Sequence, residues 1–304
     1  MGSPTTELMR TAITLVCQRP DRRRPSAELF NQARDLRFAL VTASSIDAFL
    51  ESRSDSRDFE LLGKMAIAAC LITAEHRCQV LKQSRPGAMI DLAQSEKSWL
   101  GRLFKHVMAP GVSKSNIERL FEHASFVVFN YDRCIEHYFE HAVASHFSVD
   151  LRRAADFVRD NLKIVHPYGY LGELHGDASL SFGHEFYPEA AATGEGIFAI
   201  SQRLLTFTES QKAQGAEARA LLEKALRVVF LGFGFGDQNV ELLSVSTNSV
   251  QEVRATVKCW SESNRRELDR RMRQMLGVAC GPQELRDGDC ATLIADEQMF
   301  LTRR

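Results

Sequence analysis

The chain has 304 residues, 44% hydrophobic and 25% charged, enough apolar side chain for a sizeable core. Its 38 Lys and Arg against 39 Asp and Glu leave a formal charge of -1, so no global field holds a polyanion or an acidic membrane, and nucleic acid is not expected as a partner. The longest apolar stretch, residues 61–73, contains Lys64 and is too short to cross a bilayer, and the N-terminus lacks a signal peptide's apolar run, so a cytoplasmic location is expected.

Apolar residues recur at three and four in Leu8, Ala12, Leu15 and Val16, which predicts a first helix. Residues 19–25 (RPDRRRP) follow as a basic, proline-flanked solvated turn. Ser44-Ser45 precede Ile46-Asp47-Ala48-Phe49-Leu50 as a capped short helix. Phe59, Leu62, Met65, Ala66, Ala69 and Ile72 mark a longer one.

The character changes at Ser125. FVVF at 126–129 reads as a strand, followed by the helical pattern of Ile135, Tyr138, Phe139 and Ala142. Three more strands are predicted at 162–165 (LKIV), 227–231 (RVVFL) and 256–260 (TVKCW), with helices at about 216–226, 239–245 and 261–275. Residues 172–196, with five glycines, read as a long loop or small hairpin. Continuous apolar strands alternating with helices predict an α/β fold: a Rossmann-like, doubly wound, mostly parallel sheet. A single domain over 1–304 is expected, with 26–122 as a helical insertion or cap and 123–304 as the main part of the sheet.

The seven cysteines (17, 70, 78, 134, 259, 280 and 290) form no CxxC pair and lack the close spacing of zinc sites. Reduced thiols and no metal are expected.

Three polar motifs interrupt the strand-to-helix transitions, on the edge where such a sheet binds its ligand. Asn130-Tyr131-Asp132 places a donor and an acceptor on Asn130, suited to sugar hydroxyls or a water, while Asp132 suits either a helix cap or catalysis. In His166-Pro167-Tyr168-Gly169, the proline stiffens the turn and Gly169 permits close backbone approach. In Gly232-Phe233-Gly234-Phe235-Gly236-Asp237, three glycines in five positions permit unusual backbone angles that expose amides to phosphate or ribose oxygens.

In this order, FVVFNYD, IVHPYG and VVFLGFGFGDQNVELL resemble the sirtuin-like (silent information regulator 2) family, in particular its bacterial antiphage-defence branch. SSIDAFLES is similar to a helix of that branch, and the resemblance covers most of the chain from residue 2 to about 260. It implies NAD as substrate or ligand and hydrolysis of NAD to nicotinamide and ADP-ribose. By the resemblance, Asn130 holds ribose or water, a histidine acts as acid or base on a ribose hydroxyl, and the Gly232 segment lines the adenosine side. Asn130, His166 and Asp132 are the candidate catalytic residues. Ser3, Pro4, Tyr131, Tyr168, Gly169, Gly232, Phe233, Gly234 and Asp237 are the candidate cofactor-binding ones.

The family opens with a strand and a Gly-Ala-Gly-x-Ser loop, and MGSPTTELMR resembles the segment just after it. Gly2-Ser3-Pro4 is then the far end of a phosphate loop whose start lies upstream or is missing, and NAD hydrolysis is expected where that loop is supplied. Tyr168 stands where the family has histidine, leaving His166 and His175 as the two substitutes. The four-cysteine zinc module of sirtuin deacylases has no counterpart. The alternative reading is an inactive NAD or ADP-ribose binding module acting through a protein partner or a homo-oligomer.

Overall fold

The computed structural model describes residues 4–20, 25–43, 46–53, 56–78, 80–84, 87–175, 182, 191–246, 249–278 and 284–303. In chain order the helices are α1 (Pro4–Gln18), α2 (Ser26–Ala39), α3 (Ile46–Ser52), α4 (Arg57–Arg77), α5 (Leu92–Ser95) and α6 (Trp99–Leu103). A π-turn (Phe104–Met108) and a kinked 3-10 segment (Lys114–Phe121) lead into β1 (Ser125–Val127). Then come α7 (Cys134–His146), α8 (Leu151–Asn161), β2 (Lys163–Val165), α9 (Ala191–Ser201), α10 (Phe207–Ala213) and α11 (Gly215–Lys224). The chain closes with β3 (Arg227–Phe230), α12 (Asp237–Leu243), β4 (Glu252–Thr256), α13 (Glu262–Leu276), β5 (Leu285–Arg286), α14 (Cys290–Asp296) and α15 (Gln298–Thr302). This is an α/β chain with short parallel sheets.

The contacts divide the chain into two units. The first comprises Met1–Asp91, Val128–His141 and Tyr168–Ser210, and the second Leu92–Val127, Ala142–Pro167 and Gln211–Arg304.

The first unit is helical. Leu8, Ala12, Ile13 and Val16 of α1 pack with Leu62, Met65, Ala69 and Ile72 of α4 and with Ile197 and Ile200 of α9 in one buried cluster, as the spacing of three and four requires. Ser56 caps α4 by accepting the Phe59 N–H. Lys64, almost wholly buried in α4, is neutralised by Glu60 (2.7 Å) and Glu209 (2.8 Å). The structure corrects the loop expected over 172–196, because 191–196 open α9. A Cβ at Gly194 would sit 3.0 Å from the Thr11 methyl, so this glycine lets α9 approach α1 closely. Residues 176–181 and 183–190 of that expected loop lie outside the described residues, as do Ser44 and Ser45.

The second unit holds every strand described. β1 pairs with β2 in parallel, Val127 opposite Val165, and β3, β4 and β5 form a second parallel sheet in that order. The strand expected at 256–260 is four residues too late. The strand residues are 252–256, with Val253 and Ala255 buried. Lys258 and Cys259 form a turn, with Cys259 at φ +61° and its N–H held by the Asp287 carboxylate at 3.0 Å. Ser261 caps α13 through the Asn264 N–H, and Gly277 ends it in the left-handed conformation. No helix among the described residues is long and apolar enough to cross a membrane.

Candidate functional site

In the first unit, the chain leaving β1 turns at Asn130 into α7. Asn130 is exposed and its amide donates to the Asp132 carboxylate. The other Asp132 oxygen accepts the Cys134 N–H at 3.0 Å, the first amide of α7. Asp132 thus does the capping work that a carboxylate before a helix performs, and in the same position it orients the Asn130 amide. Tyr131 is buried, its carbonyl accepting the Leu171 N–H at 3.0 Å. Arg133 is 0% exposed and is met by Glu75 of α4.

Tyr168 is also core, its ring lying edge-on to Phe129 with centroids 5.8 Å apart and tilted against Tyr131 at 6.4 Å. The expected ligand residues Tyr131 and Tyr168 therefore spend their rings on packing. Gly169 (φ +78°) and Gly172 (φ +95°) both face Arg203. A Cβ at Gly169 would lie 2.1 Å from the Arg203 carbonyl oxygen, so the close approach anticipated there is made by the protein's own backbone.

Of the two histidines, His175 is exposed and its Nε2 lies 2.8 Å from the Glu140 carboxylate of α7. His166, which directly follows β2 in the second unit, is buried. Also on α7, His137 and His141 stand one turn apart with ring centroids 4.6 Å apart. His137 Nε2 lies 3.0 Å from the Leu81 carbonyl oxygen, and Phe182 stacks on the ring at 4.0 Å. Burial, reinforced by His141, pushes the His137 pKa down to about 3. Burial and His175 push His141 down to about 4. Both imidazoles are neutral in the folded chain at pH 7.

In the second unit, the glycine motif forms the turn between β3 and α12. Gly232 takes φ +63°, and its N–H donates to Thr256 Oγ1 of β4 at 2.8 Å. A Cβ at Gly234 or Gly236 would meet nothing within 4 Å. The second left-handed residue of this turn is Phe235, at φ +51°, a conformation that costs a non-glycine residue roughly 1–2 kcal/mol. It is held by packing, with its ring against Phe230 (5.0 Å), Phe233 (4.7 Å) and Trp260 (6.1 Å).

These residues border a cleft of about 350 Å³, lined by Gly234, Phe235, Gly236, Asp237, Trp260, Asn264, Glu267, Leu268 and Arg271. It lies beyond the carboxyl end of β3, and its lining includes the residues that lead from β4 into α13. Parallel sheets bind ligands at such ends. Aromatic side chains beside exposed backbone and a few charged groups suit a planar, polar ligand. Among the described residues, no group of three or more His, Cys, Asp or Glu has an arrangement able to hold a metal ion.

Asp237 and Gly234 line the cleft, and Gly232 and Phe233 belong to the turn beside it. Pro4 begins α1, and Ser3 lies outside the described residues. Trp260, Asn264, Glu267 and Arg271 were missed. The misplaced fourth strand had absorbed Trp260, and the other three sat on a helix whose inward face only the fold reveals. No family model, curated protein or solved structure matches the chain.

Proposed function

We propose that the chain binds NAD with a Rossmann-like, doubly wound arrangement and hydrolyses it to nicotinamide and ADP-ribose, as in the sirtuin-like antiphage-defence enzymes it resembles. The observation that carries this reading is the cleft beside the Gly232 turn. It is of nucleoside size, stands at the carboxyl end of a parallel strand, and is lined by Trp260 and by open backbone at Gly234 and Gly236.

Breaking the nicotinamide bond leaves an oxocarbenium-like ribose to which one water must add. Asn130 is given the ribose hydroxyl or that water, its amide oriented by Asp132. By the resemblance, a histidine takes the acid-base role. Within the second unit, the Gly232–Asp237 turn and Trp260 form a surface suited to an adenosine.

One observation favours binding without turnover: Tyr168, in the position where the family carries histidine, has its ring in the core. Incubating the full chain with NAD and following nicotinamide release separates the two readings. Turnover that Asn130→Ala abolishes supports hydrolysis. Calorimetric binding of ADP-ribose without nicotinamide release supports the binding module, and absence of both removes NAD as the ligand.

A further inference from the structure

Arg271 projects from α13 to the turn that floors the cleft, and it does three things at once. Its Nη1 donates to the Phe235 carbonyl and pairs with the Asp237 carboxylate at 2.7 Å. Its Nε donates to Glu267, one turn back on the same helix, at 3.1 Å. The Arg271 side chain is three-quarters buried, whereas the Asp237 side chain is 90% exposed.

The carbonyl it holds belongs to Phe235, a residue kept left-handed without being glycine. Such a conformation persists where its surroundings over-determine it, and here the Arg271 fork and the aromatic contacts supply that constraint. A lysine could match the charge but not grip the carbonyl and two carboxylates from one planar group.

We propose that Arg271 is a positioning residue: by clasping the Phe235 carbonyl and Asp237 it fixes the shape of the cleft floor, and through that shape sets ligand affinity. Naming the ligand rests on the nucleotide reading above; the clasp itself does not. Neutralising Asp237 is a separable part of the same contact. If charge compensation were the whole effect, removing both charges would restore binding.

The test uses the full chain with Trp99→Phe, which leaves Trp260, in edge contact with Phe235, as the single tryptophan. Arg271→Lys, Arg271→Met and Arg271→Met with Asp237→Asn are compared by thermal unfolding, acrylamide quenching of Trp260 and calorimetric titration with ADP-ribose. The expected result is at least a twofold rise in quenching and at least a tenfold loss of affinity in Arg271→Lys, with a folded baseline retained. The double variant is expected to stay weak.

Unchanged quenching in Arg271→Lys overturns the proposal, and so does full recovery of affinity in the double variant. Wild-type protein that binds no ADP-ribose, while Arg271→Lys still exposes Trp260, upholds the clasp and rejects the nucleotide as its occupant. Should Arg271→Met fail to fold, Glu267→Gln provides the second route. It loosens the Arg271 Nε and is expected to raise quenching by a smaller factor; no change there would count against the clasp.

Discussion

Glu75 and Arg133 form a buried pair in which one carboxylate receives three hydrogen bonds: from the Arg133 backbone N–H at 3.1 Å, Nε at 3.3 Å and Nη2 at 2.6 Å. Arg133 Nη1 also donates to the Glu173 carbonyl at 3.2 Å. Burial raises the Glu75 pKa and the Arg133 guanidinium opposes that rise. The pair ties the residue after Asp132 to the last turns of α4, so the turn carrying Asn130 has a fixed base. Removing one partner leaves a buried charge uncompensated, and Glu75→Ala is expected to cost about 3–5 kcal/mol in urea unfolding. Replacing both residues with leucine should cost clearly less. Equal losses in the two variants would show that the pair is not the relevant contact.

Asn130 and Asp132 should separate function from stability. Asn130 is exposed, so Asn130→Ala is expected to change unfolding free energy by no more than about 0.5 kcal/mol. Asp132→Ala removes the acceptor for the first amide of α7 and should cost about 1 kcal/mol. A large stability loss in Asn130→Ala would assign that side chain to the scaffold instead.

The neutral pair His137 and His141 makes stability depend on pH. Below the ordinary imidazole value of 6.5 the unfolded chain takes up protons that the folded chain refuses until about 4 for His141 and about 3 for His137. Stability present at pH 7 is therefore lost as the pH falls through that window, by about 1.4 kcal/mol per pH unit for each imidazole. Urea midpoints measured from pH 7 to pH 4.5 should flatten in the His137→Gln, His141→Gln double variant. An unchanged slope would place the acid sensitivity elsewhere.

Glycines of similar appearance should respond in opposite ways. Gly169→Ala combines a left-handed backbone with a clash against the Arg203 carbonyl and is expected to cost at least about 2 kcal/mol. Gly234→Ala meets open space and should leave stability within about 0.5 kcal/mol, or raise it slightly. Its effect is expected on ADP-ribose affinity, where the added methyl narrows the cleft. Thermal unfolding and calorimetry on the two variants check both halves.

Helices α1, α3 and α4 of the first half, the capping role open to Asp132 and the glycine turn after β3 were legible in the sequence because each depends on near neighbours. Periodicity of three and four reports one buried face, an acidic residue ahead of a helix meets its first free amide, and a glycine at a strand end supplies a positive φ. The alternating EVRAT strand was harder to read. Its half-buried Glu252 and Arg254 break the apolar run, whereas TVKCW next to it is more continuous.

Only the tertiary structure decided which distant groups meet. Glu75 and Arg133 are 58 residues apart, and Arg271 reaches a carbonyl 36 residues earlier. Gly169 and Gly194 make room for Arg203 and Thr11. No local pattern encodes these relationships, because the strength of a buried ion pair or a close contact is set by burial and geometry that exist only once the chain has folded.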